Sequence, residues 1–273
     1  MLSRLRFQST LLASLFLCTC QDKATGLADD SCLANRGKCL KQAQQLLDTA
    51  ETAHDKRRAF QKYRIACDAG IPVACYTLGT MLRDGYGVKA NPMKAAATFS
   101  KACKAAVGPA CNSLGAMIKD REVTQSTPKV CVPLFEKACK LNDHMGCQNL
   151  GALLWQGRNV LKNQRRAVAI WTKACRLGNS SSCFNLALAF EDGVGVKSSP
   201  REAQRLYRVA CEMKNGDACY NLALMYKEGR GVRADVDKSS YYLRRACSLS
   251  GGRDCAIPDA SYKLDITTKT RPR

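Results

Sequence analysis

Cysteines set the frame of this chain. Cys67, Cys103, Cys139, Cys175, Cys211 and Cys247 follow one another at intervals of 36 residues, and each has a second cysteine eight residues on, at Cys75, Cys111, Cys147, Cys183, Cys219 and Cys255. A fixed period of this length is the mark of a stacked repeat array. On one straight helix, residues eight apart lie roughly 12 Å from each other. A disulfide needs Cα atoms within about 7 Å. The residues between the paired cysteines read DAGIPVA, KAAVGPA, KLNDHMG, RLGNSSS, EMKNGDA and SLSGGRD. Each carries Gly, Asn or Pro, which break helices. Each pair therefore straddles a helix–helix corner and is expected to staple it, from Cys67–Cys75 through to Cys247–Cys255. Metal binding is the rival use. With two histidines, His54 and His144, and no CxxC, the spacings of a zinc site are missing.

The start of the chain has the pattern of a secretory leader. Arg4 and Arg6 precede a short apolar run from Leu11 to Cys18, too short for a stable membrane anchor. Leu17-Cys18-Thr19-Cys20 resembles a bacterial lipobox with Cys20 as the acylated residue, although Thr19 stands where Gly, Ala or Ser is usual. Lipidation at Cys20 and ordinary cleavage with secretion both stay open. Either way the mature chain is expected outside the cytoplasm, in the periplasm or outer envelope, which suits heavy cysteine use. The expected divisions are a leader over 1–20, a linker with an irregular bridge over 21–37, a repeat array over 38–256 and a basic, disordered tail over 257–273. Cys39 is in phase with the regular cysteines and Cys32 is one residue out, so Cys32–Cys39 reads as a bridge at an atypical N-terminal cap.

Helical patterning fills the array. The spacing predicts helices over 38–53 and 55–67, then five regular units. The first helix of each unit carries YTLGTML, NSLGAMI, QNLGALL, FNLALAF or YNLALMY. Leu78, Leu114, Leu150, Leu186 and Leu222 recur on one stripe with an apolar residue four positions on, the spacing of a packed helix face. Gly79, Gly115, Gly151, Ala187 and Ala223 let neighbouring helices approach. A turn follows, DGYGV, DREVT, QGRNV, DGVGV or EGRGV, and the second unit lacks both glycines. Second helices open on Pro92, Pro128 and Pro200, carry Phe99, Phe135, Trp171, Tyr207 or Leu243, and end at the first cysteine of a pair. Cys131 takes a small core position and is expected to be a buried, unreactive thiol. The fold class is all-α: an α/α solenoid of about six helix-turn-helix repeats stapled by disulfides.

The phrases ACYTLGTMLRDGYGV, SCFNLALAFEDGVGV and ACYNLALMYKEGRGV resemble Sel-one-like repeats, a tetratricopeptide-like α/α solenoid family. With cysteines paired eight apart at period 36, the pattern is most similar to the secreted Helicobacter cysteine-rich proteins. The resemblance runs over about 38–256. It implies an adaptor that holds partner proteins or peptides. It also implies a second activity, β-lactam binding with weak β-lactamase hydrolysis, attributed to the cysteine-rich members.

No residue set demands an enzyme. Ser126-Thr127-Pro128-Lys129 matches the S-x-x-K nucleophile motif of serine β-lactamases, but Pro128 interrupts the helix that motif needs. No SDN or KTG follows, the nearest being Lys269-Thr270-Arg271. The match reads as chance. Two histidines are too few for a zinc β-lactamase, and no haem or P-loop motif is present, so no cofactor or metal is expected. The formal net charge is +20. Such a field attracts acidic partners, anionic envelope polymers or lipid headgroups. Nucleic acid does not suit an exported chain without a basic helix or stacking module, and contact with a membrane is expected only through a lipid anchor. One polar row remains. Asn149, Asn185 and Asn221 recur at the repeat period, preceded in phase by Thr77 and Ser113. Side-chain amides donate and accept together, so these asparagines are candidates to hold an extended peptide. The alternative is that each bonds a neighbouring repeat's backbone.

Overall fold

The computed structural model describes residues 35–120, 122–123, 130–157 and 160–250, and among them the secondary structure is entirely helical. The N-terminal unit pairs α1 (Arg36–Asp48) with α2 (Ala53–Asp68). Five further units follow: α3 (Pro72–Asp84) with α4 (Pro92–Lys104), α5 (Gly108–Lys119) with α6 (Cys131–Lys140), α7 (His144–Gln156) with α8 (Gln164–Arg176), α9 (Ser180–Asp192) with α10 (Pro200–Glu212), and α11 (Gly216–Glu228) with α12 (Val236–Leu249). Each first helix packs on its own second helix and on the second helix before it, which generates the α/α solenoid. No helix among the described residues is long and apolar enough to cross a membrane.

The corners are built alike. At each, a main-chain N–H bonds back to the carbonyl of an alanine in the last helical turn: Ile71 to Ala66, Val107 to Ala102, Asp143 to Ala138, Asn179 to Ala174 and Asn215 to Ala210, at 3.0–3.1 Å. This closure requires the preceding residue to be left-handed. Gly70, Ala106, Asn142, Gly178 and Lys214 all have positive φ, between 62° and 91°. The reversal brings the cysteines together. Five bridges, Cys67–Cys75, Cys103–Cys111, Cys139–Cys147, Cys175–Cys183 and Cys211–Cys219, have Cα–Cα distances of 4.4–4.7 Å. Cys39 and Cys247 are also disulfide-bonded. Cys32 and Cys255, which the spacing assigns to them, lie outside the described residues.

The turns inside the units follow a second rule. Gly85, Gly157, Gly193 and Gly229 cap their first helices in the left-handed region, at φ between 68° and 74°. The cap residue of the next helix then bonds back to the first: Asn91 to Leu82, Asn163 to Leu154, Ser199 to Phe190 and Asp235 to Tyr226, at 2.7–2.9 Å. The same four side chains accept from the N–H three residues on, satisfying a helix-end donor. The second unit departs, as its missing glycines imply. Its first helix ends at Asp120 with φ −86°, and α6 starts only at Cys131 and spans 10 residues.

The N-terminal unit differs from the sequence expectation of one helix over 38–53. The helix stops at Asp48, and Thr52 starts the next one through a capping box with Asp55. The Thr52 hydroxyl and the Asp55 carboxylate satisfy each other's backbone donors, which outweighs continuing the first helix.

Burial follows the repeat. Tyr63, Phe99, Phe135, Trp171 and Tyr207 are buried on successive second helices, as is Cys131. Phe99, Phe135 and Trp171 pack against the glycines of the first helices. A Cβ on Gly79 would come 2.6 Å from Phe99, one on Gly115 2.8 Å from Phe135, and one on Gly151 2.3 Å from Trp171.

Candidate functional site

Packing on two sides leaves each first helix one half-exposed face. Along α3 that face is Val73, Tyr76, Thr77, Thr80 and Arg83, while Ala74, Cys75, Leu78, Met81 and Leu82 are buried. The helical period repeats this division along the five first helices as one stripe, except that Ser113, in phase with Thr77, is buried. Apolar and aromatic groups concentrate in its C-terminal half: Trp155, Phe184, Leu188 and Tyr220 are half-buried or exposed. Trp155 packs on Trp171 with ring centroids 5.0 Å apart, and Phe184 on Tyr207 at 5.8 Å. The buried rings thus hold the exposed ones in place.

The asparagine row lies on this stripe, and all three residues are half-buried. Their partners differ. Asn149 donates to the Asn112 side chain of the preceding first helix at 2.8 Å. Asn221 bonds the Tyr207 hydroxyl, whereas the Thr77 hydroxyl donates to the Val73 carbonyl of its own helix at 3.3 Å. Asn185 makes no hydrogen bond among the described residues. The structure thus brings the row together on one face and commits two of its amides to neighbouring side chains.

Two features escaped the sequence reading. Asn112 stands one residue ahead of the asparagine row, in phase with Tyr76, Gln148, Phe184 and Tyr220. Its signal was a pair of amides, Asn112 and Gln148, one position ahead of the first row. The other is a cluster around Glu191. That carboxylate accepts from the Tyr207 hydroxyl at 2.7 Å and pairs with Arg230, which also bonds Glu228 at 2.6 Å. Burial pushes the Tyr207 phenol up to about 12, opposed by the Asn221 amide and reinforced by the Asp192 carboxylate. Burial likewise raises the Asp143 carboxyl, although the Gly146 N–H donates to it at 2.6 Å, and it raises the Cys131 thiol. Ser126, Lys129 and Cys20 lie outside the described residues.

A model of the Sel1 repeat matches residues 72–107, 144–179, 180–215 and 216–250, together more than half of the chain. The unit it passes over, 108–143, is the one whose turn lacks glycine. Among solved structures, a Sel1 repeat protein from Oxalobacter formigenes superposes with a TM-score of 0.72 at 23% identity, covering 78% of this chain and 88% of that one. The protective antigen c5321 of uropathogenic Escherichia coli, which displays the same repeat fold, gives 0.74 at 24% identity, covering 81% of this chain and 48% of that one. Cysteine rich protein B of Helicobacter pylori shares 29% identity, covering 46% of this chain and 90% of that one, with a TM-score of 0.38. No curated protein matches the chain in sequence.

Proposed function

This chain belongs to the Sel1 repeat family, and on that premise we propose that it is an exported scaffold that seats a protein or peptide partner along its first-helix stripe, in the cell envelope of a bacterium. Sel1 repeats generally mediate protein–protein interaction. The observation that carries the reading is the composition of the stripe around Asn185. Here an uncommitted amide stands among Trp155, Phe184, Leu188 and Tyr220. An extended segment needs apolar seats for alternate side chains and a donor–acceptor group for its backbone. The five corner disulfides support an oxidising, extracytoplasmic setting. Acylation of Cys20 would tether the scaffold to a membrane, and Cys20→Ala should then release it into the soluble fraction.

The test begins with a photoreactive residue at Tyr220, which is 48% exposed, used to capture the partner in intact cells. Affinity for that partner is then measured on a variant with Asn149, Asn185 and Asn221 all replaced by alanine. At about 0.5–1.5 kcal/mol per net hydrogen bond, the triple change should weaken binding by roughly tenfold or more. The thermal midpoint should fall little, because Asn112 is half-exposed to water and the buried Tyr207 hydroxyl keeps its bond to Glu191. A large fall in melting temperature with affinity lost only on unfolding would assign the asparagines a structural role instead.

A further inference from the structure

A second surface, on the edge where the turns lie, has its own chemistry. The turns after α3, α9 and α11 sit on the start of the preceding unit's second helix. The second glycine of the turn makes this possible. A Cβ on Gly87 would come 2.2 Å from the Lys56 carbonyl oxygen, one on Gly195 2.7 Å from that of Gln164, and one on Gly231 2.6 Å from that of Pro200. This fixed approach places a cation of the turn beside a cation of the helix. The pairs, at one common offset in the sequence, are Arg57 with Lys89, Arg165 with Lys197 and Arg201 with Arg233. All six side chains are exposed, and none is in an ion pair among the described residues.

At the first of these places the edge opens into a cleft of about 570 Å³ between α2 and the turn after α3. Lys56, Arg57 and Lys89 line it together with Ala53, Phe60 and Val88. The Lys56 ammonium is held over the Tyr86 ring at 5.5 Å. The nearby carboxylates are engaged elsewhere. Asp55 caps α2 through Thr52, and Asp84 bonds Arg83 at 2.7 Å.

We propose that this cleft binds an acidic peptide segment of a partner, with Lys56, Arg57 and Lys89 on its carboxylates and Phe60, Ala53 and Val88 under an adjoining apolar side chain. Like charges held together without counter-charges raise one another's energy, and an anion relieves it. Two features favour a short peptide over a long polyanion. The floor is apolar, which a phosphate polymer would not use. The cationic track is also broken: Met93, 64% exposed, and Leu161, 90% exposed, stand where the helix and turn cations of other units stand. The proposal concerns a surface separate from the first-helix stripe, so each reading stands or falls by its own variant.

The experiment uses the full chain and a fluorescent synthetic peptide alternating Glu with Leu. Its Gln–Leu counterpart and inorganic polyphosphate serve as the other ligands. One variant replaces Lys56, Arg57 and Lys89 with Gln. A control of equal charge loss replaces Lys104, Lys140 and Arg176. The acidic peptide should bind, its affinity should fall by about tenfold or more in the cleft variant and by less than about twofold in the control, and the Arg57→Lys, Lys89→Arg exchange should retain binding. Equal losses in the cleft variant and the control would overturn the proposal, since diffuse charge would then account for attraction. So would an acidic peptide that binds no better than its Gln–Leu counterpart, or cleft-dependent binding shown by polyphosphate alone.

Discussion

The Lys173 ammonium donates to the main-chain carbonyl of Cys139 at 2.7 Å, from the second helix of one unit to the last turn of the second helix before it. Lys101 does the same to Cys67 at 2.9 Å, and Arg245 reaches Cys211 at 3.5 Å. A helix C-terminus carries partial negative charge and carbonyls without intrahelical partners, so a cation there is stabilising. Part of the large positive charge thus ties neighbouring units together. Val209 occupies the corresponding position opposite Cys175. Lys173→Met should lower stability by roughly 0.5–1.5 kcal/mol, and Val209→Lys should raise it by a similar amount. Denaturant midpoints of the two variants measure this. An unchanged midpoint for both would mean that water serves the carbonyl equally well.

The corners predict a stabilising substitution. Ala106 and Lys214 hold the left-handed position that Gly70 and Gly178 hold elsewhere, at φ of 64° each. A side chain there costs about 1–2 kcal/mol, and glycine adds unfolded-chain entropy of about 0.5–1 kcal/mol against it. Lys214→Gly is expected to raise the thermal midpoint modestly, and Gly178→Ala to lower it. The pair of midpoints tests the corner rule in both directions.

Gly151→Ala should be costly for a different reason. Its Cβ would stand 2.3 Å from Trp171 Nε1, and neither the buried indole nor the helix can yield freely. Overpacking of this kind costs typically about 1–3 kcal/mol. Trp171→Phe in the same chain should recover part of the loss, because the smaller ring frees that space. Urea titration of the single and double variants reads the coupling.

Tyr207 sets an alkaline limit. Its folded value, about 12, lies above its ordinary value of 10. The sign follows: the contribution is fully present below pH 10 and is lost as pH rises towards 12, because only the unfolded phenol ionises there. The full effect is on the order of 2–3 kcal/mol. Tyr207→Phe should flatten the fall of stability across that window in rapid denaturant unfolding. An equally steep fall in the variant would assign it to other groups.

Much of the fold was legible because its determinants are local and periodic. Cysteines eight apart around Gly, Asn or Pro, and glycine after each first helix, state where the chain reverses. The end of α1 was not legible in composition, because Lys38–Ala53 is helix-forming throughout. The reciprocal Thr52–Asp55 bonds decide it, and they are recognised only once that break is looked for. The stripe was half legible. Period placed Asn149, Asn185 and Asn221 on one face, but their partners lie on other helices. Whether an amide meets Asn112, Tyr207 or nothing depends on side chains that vary from unit to unit while the backbone repeats. The cleft beside Lys89 was missed, since its cations come from two units and share no local motif.

The bridges have a topological consequence. Each one joins the second helix of a unit to the first helix of the next, so the covalent unit is offset by half a repeat from the packing unit. A protease that cuts a corner between bridged cysteines leaves both pieces tied. A cut in a turn inside a unit severs the chain outright, and limited digestion without reductant should yield fragments that end at those turns and not at the corners. Nor can a terminal unit peel away as a packed hairpin: to leave, it must drag the helix of its neighbour with it. The array is in this sense cross-laminated, and fraying from one end is opposed at each successive joint.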